Sequence, residues 1–134
     1  MTGRILLVEA DVVLGAVLAE VLRHSGYEVI VVNTLIKGGI DHIDSVSAVI
    51  LDVDTTSLEQ ELAWLDVLRP YDESLPILLM GLQITQELCN RVRLQLGLRK
   101  NNALTSVRKP FKNYELLAAV RQAHESSVPA RYEA

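Results

Sequence analysis

Residues 5–11 read ILLVEAD, so that four apolar residues lead directly into a cluster with two acids, Glu9 and Asp11. A short apolar run bounded by polar residues is typical of a strand that is buried on both faces of a sheet. Apolar residues then recur at helical spacing between residues 14 and 22, and Gly26 offers a stop. The amino-terminal part of the chain therefore predicts one strand followed by one helix.

Strand and helix signals alternate in the same order along the rest of the chain. Further strands are predicted at residues 29–32, 48–51, 77–80 and 104–107, and further helices at residues 34–43, 58–68, 85–96 and 114–124, the last with Asn113 as its cap. Because no two strand signals are close enough for a hairpin, the strands should be parallel, with right-handed crossovers and helices on both faces. We predict an α/β fold of the flavodoxin-like type, a (βα)5 three-layer sandwich with a five-stranded parallel sheet in the order 2-1-3-4-5.

Length and composition agree with one domain of this kind. The chain has 134 residues, and 49% of them are hydrophobic while only 4% are aromatic, so the core should consist of Leu, Val, Ile and Ala. We expect residues 1–125 to form the domain and residues 126–134 to be a tail or the start of a linker. The formal net charge of -4 disfavours direct binding of nucleic acid. The single Cys89 and the lack of a long apolar run predict a cytoplasmic protein that does not enter the membrane.

Charged residues follow the first, third and fifth predicted strands. Neighbouring parallel strands end at the same edge of a sheet, which is where open α/β folds place their ligands. We therefore expect Glu9, Asp52 and Lys109 to share one pocket that holds two carboxylates and one ammonium. Asp54 lies two residues beyond Asp52 and would add a carboxylate near the mouth of the pocket.

Taken in order, these fragments resemble the receiver domain of two-component response regulators. The resemblance covers about residues 4–125 and rests on ILLVEAD near the amino end, the strand that ends in Asp52, Pro76 before the fourth strand, and Lys109-Pro110-Phe111 before the last helix. It implies that Asp52 accepts a phosphoryl group from a sensor histidine kinase, that Glu9 and Asp52 hold Mg²⁺, and that Lys109 supplies a fixed cation. It also implies a cis Lys109–Pro110 bond and a signalling module rather than an enzyme.

Three positions depart from the receiver pattern. The second metal-binding acid of receivers falls on Ala10, which should weaken Mg²⁺ binding unless Asp11 or Asp54 substitutes for it. The Ser or Thr at the end of the fourth strand falls on Gly81, and the aromatic residue of the fifth strand falls on Ser106. We predict an atypical receiver with an incomplete metal site and switch, which acts mainly through contacts with other proteins.

Other interpretations of the same residues stay open. Glu9 and Asp11 also suit a solvated helix start, and Lys109 suits a structural ion pair with Asp52. The stretch 52–56, DVDTT, is similar to the opening motif of haloacid-dehalogenase-type phosphotransferases, in which the first aspartate is the nucleophile and the second the general acid. Those enzymes need a later acidic pair, and the acids that follow Lys109 are scattered: Glu115, Glu125 and Glu133.

The predicted fourth helix and fifth strand carry most of the arginines of this region. The basic residues are Arg91, Arg93, Arg99, Lys100 and Arg108. Receivers often pair through the fourth helix, fifth strand and fifth helix, so a homodimer or an acidic partner is expected there, in addition to a kinase or another signalling protein. A plain solvated face is the alternative.

Overall fold

The computed structural model describes residues 3–35, 46–68, 75–97 and 104–126. Within these ranges the elements are β1 Arg4–Val8, α1 Val12–His24, β2 Glu28–Val32, β3 Ala48–Asp52, α2 Leu58–Leu68, β4 Ile77–Gly81, α3 Gln86–Leu96, β5 Leu104–Arg108 and α4 Asn113–Ser126. The predicted helix at residues 34–43 lies almost entirely outside the described residues, as does the predicted tail beyond residue 126. No helix in the described ranges is long and apolar enough to cross a bilayer.

The five strands form one parallel sheet in the order β2-β1-β3-β4-β5. This order confirms the flavodoxin-like fold predicted from the alternation of strand and helix signals. The three central strands are buried along almost their whole length, since helices cover both faces of the sheet. Their continuous apolar sequence is the direct consequence.

Successive residues of a strand point to opposite faces, and the core is therefore divided into two layers. In β1, Ile5 and Leu7 pack in the layer with α1 and α4, whereas Leu6 and Val8 pack in the layer with α2 and α3. The helices contribute their inward apolar residues, such as Leu18 of α1. Full burial of such side chains stabilises the fold by roughly 1.5–3 kcal/mol each.

The last helix begins at Asn113, one residue earlier than predicted. The carbonyl of Lys112 accepts the backbone N–H groups of Glu115 and Leu116, at 2.9 and 3.2 Å, so Lys112 holds the cap position and Asn113 is the first helical residue. The Glu115 carboxylate accepts the Lys112 N–H at 2.8 Å, which is the reciprocal half of a capping box. The prediction that Asn113 caps this helix is therefore wrong by one residue.

The strand register brings several chain segments to one edge of the sheet. Val8 pairs with Leu51, and Gly81 pairs with Arg108, so these strands end at nearly the same level. The N–H of Lys109 donates to the carbonyl of Gly81 at 2.7 Å and continues the ladder one residue further. The Lys109–Pro110 bond is cis, as the resemblance to receivers implies.

Candidate functional site

The ammonium of Lys109 lies among three carboxylates at this edge. Its Nζ is 3.3 Å from Glu9 Oε1, 3.3 Å from Asp52 Oδ1 and 3.7 Å from Asp54 Oδ2. Glu9 and Asp52 are buried, with 2% and 7% of their surface exposed, and the Lys109 side chain is 15% exposed. Residues 9, 52 and 109 thus meet in space although about 100 positions separate the first from the last.

Backbone amides hold the two buried carboxylates in place. The N–H of Asp54 donates to Asp52 Oδ1 at 2.9 Å, and the N–H of Asp11 donates to Glu9 Oε2 at 3.2 Å. Each bond spans two residues, and for Asp52 this is the local geometry that Asp favours in turns. The carboxylates are therefore oriented by the turns that follow β3 and β1.

Burial and charge act on the protonation of the site in opposite directions. Burial raises the pKa of the Glu9 carboxyl above its usual value, and a hydrogen bond with Asp52 raises it further. Burial alone would lower the pKa of Lys109, but the charges of Asp52 and Glu9 outweigh that effect and raise it. The site thus favours a charged lysine, while burial disfavours the charged form of Glu9 beside it.

Asp54 adds a third carboxylate beside Lys109 and is more exposed than Glu9 and Asp52. Both of its carboxylate oxygens accept the backbone N–H of Leu82, at 3.1 and 3.0 Å. The missing side chain of Gly81 makes room for this arrangement, because a Cβ at that position would lie 2.8 Å from Asp54 Oδ1 and 2.5 Å from a methyl carbon of Val53. Asp54 therefore lies where a side chain of residue 81 would otherwise extend.

The side chains at this edge of the sheet do not fit the magnesium site that the resemblance to receivers implies. Ala10 offers no ligand, and the Asp11 carboxylate caps α1 by accepting the N–H groups of Val13 and Leu14 at 3.0 and 3.1 Å. Glu9 and Asp52 remain, and the Lys109 ammonium lies between them. Within the described ranges, no three side chains of His, Cys, Asp or Glu are placed to hold a metal ion.

A small cavity lies beside Asp52, away from Glu9 and Lys109. Its volume is about 10 Å³, which is room for roughly one water molecule. The lining residues are Val8, Ala10, Asn33, Leu51, Asp52, Thr55 and Glu61.

Glu61 is a buried acid that sequence reasoning did not single out. Its carboxylate accepts the N–H of Leu35 at 2.8 Å and the hydroxyl of Thr34, and only 2% of the residue is exposed. These two bonds join the first turn of α2 to the segment after β2. The sequence feature that could have pointed to Glu61 is an acid at a position of α2 that faces the sheet. A buried carboxylate without a hydrogen-bond partner would lower the stability of the fold, so such an acid predicts a partner.

The predicted switch positions have no hydroxyl or aromatic side chain inside the pocket. Gly81 ends β4 without a side chain, and the side chain of Ser106 in β5 is exposed. Of the basic residues, Arg91 pairs with Glu59 of α2, and Arg108 donates to the carbonyl of Ile84 at 3.3 Å. Arg99 and Lys100 lie outside the described residues.

Solved structures with the same fold are CheY-like response regulator receiver domains. A response regulator receiver domain protein from Methanospirillum hungatei JF-1 matches with a TM-score of 0.74 and 18% identity over all of both chains. The chemotaxis protein CheY4 of Vibrio cholerae matches with a TM-score of 0.75 and 17% identity, over 92% of this chain and 99% of its own. These similarities establish that the chain has the receiver fold.

NtrX from Brucella abortus is similar to this chain over only part of its own length. The match has a TM-score of 0.75 and 23% identity and covers 95% of this chain but 28% of NtrX. This chain therefore spans little more than a quarter of that protein. Neither a protein-family model nor a curated protein matches the sequence.

Proposed function

We propose that the chain is a receiver-like signalling domain of a cytoplasmic two-component phosphorelay, with Asp52 as the phosphoacceptor. The observation that carries this proposal is the 3.3 Å distance between Lys109 Nζ and Asp52 Oδ1 at the edge where the parallel strands end. That edge is the usual ligand position of open α/β sheets. The receiver fold supports the same function.

The residues present supply a nucleophile and a cation for phosphoryl transfer. A carboxylate oxygen of Asp52 would attack the phosphorus of a phosphohistidine or of an acyl phosphate. The bond from phosphorus to the leaving group breaks, and the leaving group keeps the electron pair. Lys109 would neutralise charge on the phosphoryl oxygens, since catalysis of this transfer consists mainly of positioning and electrostatic stabilisation.

The proposed domain transfers phosphate slowly and signals mainly through protein contacts. Ala10 removes one metal ligand, and Gly81 and Ser106 remove the hydroxyl and the aromatic group that couple the pocket to the distal face. The partners are a sensor histidine kinase or another signalling protein. A homodimer through α3, β5 and α4 is a further possibility, supported by Leu94 of α3, which is 85% exposed.

Labelling with acetyl phosphate tests the phosphoacceptor. The chain is incubated with the donor, with and without Mg²⁺, and its phosphorylation is followed by intact-protein mass spectrometry. We expect slow labelling that Asp52→Asn abolishes. Asp66→Asn is the matched control, because it removes one exposed carboxylate from α2 and should leave the rate unchanged.

Two results would overturn parts of the proposal. Labelling that persists in Asp52→Asn, or no labelling at all, would remove Asp52 as the phosphoacceptor. Fast and stoichiometric labelling that also shifts the amide resonances of α3 and β5 would show that the switch is complete after all. Slow labelling without such shifts is the expected result.

The phosphotransferase alternative gains no support from the position of Asp54. A general acid must present a proton to the leaving group. Both oxygens of Asp54 instead accept the Leu82 N–H, and one of them lies 3.7 Å from the Lys109 ammonium. Asp54 is therefore arranged as an acceptor, and the receiver function remains the better supported of the two.

A further inference from the structure

One oxygen of Asp54 occupies a position that matters for chemistry at Asp52. Asp54 Oδ2 accepts the Leu82 N–H at 3.0 Å and lies 3.7 Å from Lys109 Nζ. The same Nζ is 3.3 Å from Asp52 Oδ1. This oxygen thus lies beside Asp52, between an ammonium and a backbone N–H that both favour an anion.

A phosphoryl group on Asp52 would need these same two donors. Lys109 Nζ is the ammonium in contact with Asp52, and the Leu82 N–H faces the same space. A phosphoryl oxygen that bound both donors would have to lie where Asp54 Oδ2 now lies. Two anions cannot share that position, because charge repulsion and overlap both oppose it.

The surroundings of Asp54 allow it to leave. Its side chain is 29% exposed, in contrast to the buried side chains of Glu9 and Asp52. Gly81 offers no side chain that could cover it, and the carboxylate itself fills the space that a Cβ there would need. Rotation toward solvent would free both donors without a change in the sheet.

We propose that Asp54 is a built-in anion that occupies the oxygen position between Lys109 and the Leu82 amide and must swing out before a phosphoryl group on Asp52 can use those donors. This inference rests on the proposed function for its role in signalling. Its physical content is a competition between an internal carboxylate and an external anion for one site. Asp54 thereby keeps the pocket in its unphosphorylated arrangement.

The competition is tested first by labelling rates. Acetyl phosphate labelling of the whole chain is compared for the parent, Asp54→Ala, Asp54→Asn and the exposed control Asp66→Asn. We expect Asp54→Ala to label roughly tenfold faster, since a hydrogen bond to a charged group contributes about that factor. Asp54→Asn should fall between Asp54→Ala and the parent, because its amide oxygen can still accept the Leu82 N–H. Asp66→Asn should match the parent.

Equal rates for Asp54→Ala and Asp54→Asn would overturn the inference, because the gain would then not depend on whether residue 54 occupies the Leu82 N–H. Labelling that Asp52→Asn abolishes but that no change at Asp54 accelerates would also overturn it, while the phosphoacceptor assignment would stand.

A second measurement does not depend on phosphorylation. Inorganic phosphate is titrated into Asp52→Asn and into the double variant Asp52→Asn with Asp54→Ala, and the Leu82 amide is followed by NMR. We expect a saturable shift in the double variant and none in Asp52→Asn alone. If no variant is labelled, the phosphoacceptor proposal fails and this titration alone decides the role of Asp54. Identical titrations in the two proteins would overturn that role.

Discussion

Gly81 has no room for a side chain, although its backbone would accept one. It is not one of the glycines with positive φ, which are Gly26 and Gly97 within the described residues. A Cβ would nevertheless lie 2.5 Å from Val53 Cγ2 and 2.8 Å from Asp54 Oδ1. The restriction at this position is therefore steric.

We predict that Gly81→Ala lowers the free energy of unfolding by about 1–3 kcal/mol, the usual cost of one extra group in a filled space. Val53 cannot easily move aside, because it is buried and β-branched. The double variant Gly81→Ala with Val53→Ala should lose less free energy of unfolding than the sum of the two single variants, because Val53→Ala removes the clash with Val53 Cγ2. Denaturant unfolding of the four proteins measures this coupling, and strictly additive costs would contradict it.

Glu9 stabilises the charged form of Lys109, although burial disfavours the charge of Glu9 itself. The lysine gains from two carboxylates within 3.3 Å, whereas burial disfavours the charge of Glu9. Removal of Lys109 would leave the buried carboxylates of Glu9 and Asp52 without their ammonium. Asp54 is more exposed, so variants at Asp54 are better probes of the pocket than variants at Lys109.

At the scale of elements, α3 is capped at both ends. The Thr85 hydroxyl accepts the N–H of Leu88 at 3.1 Å, and Gly97 closes the other end in the left-handed conformation with φ of 64°. Both residues agree with the sequence prediction of a helix from residue 85 to a stop at Gly97. The position of α3 fixes the segment 81–85, which carries the Leu82 N–H.

We predict that Thr85→Ala lowers the free energy of unfolding by about 1 kcal/mol, because the Leu88 N–H loses its acceptor. Thr85→Ser keeps a hydroxyl at the same position and serves as the control. Thermal or denaturant unfolding compares the three proteins. An equal loss in Thr85→Ser would mean that the hydroxyl of Thr85 does not stabilise the start of α3.

At the scale of the whole molecule, the carboxyl-terminal part of α4 packs against the opposite edge of the sheet from the pocket. The ring of His124 lies 5.6 Å from the ring of Tyr27, and its Nε2 is 3.3 Å from Ser47 Oγ. Burial lowers the pKa of His124 below its ordinary value of 6.5. The last helix is thereby joined to the segments before β2 and β3.

This burial predicts a loss of stability in mild acid. The unfolded chain binds a proton at His124 near pH 6.5, whereas the folded chain binds it only at lower pH. The unfolded state therefore holds more protons in that window. The contribution of His124 to the free energy of unfolding is fully present above about pH 6.5 and is lost as the pH decreases toward the folded pKa.

Unfolding by urea between pH 7.5 and 5 measures the effect. We expect His124→Asn to reduce the dependence of stability on pH. His24→Asn, at an exposed position of α1, should retain it and serves as the control. The interpretation fails if the parent and His124→Asn show the same slope.

The sequence by itself determined the sheet, most helix positions and the meeting of Glu9, Asp52 and Lys109. Apolar periodicity sets strands and helices locally, and parallel neighbours must end at one edge, so residues far apart in the chain can be placed together without coordinates. Whether Asp11 binds a metal or caps a helix was left open, because both roles suit a carboxylate after a strand.

Only the tertiary structure decided what each carboxylate does. It assigned Asp11 to the cap of α1, Asp54 to the Leu82 amide and Glu61 to the segment after β2. For Asp54 and Glu61 the assignment depends on how far a side chain reaches across a gap between segments that are not neighbours in sequence, whereas the cap formed by Asp11 is local. Such distances follow from the packing of the whole sheet and its helices, and a pattern of residue types does not contain them.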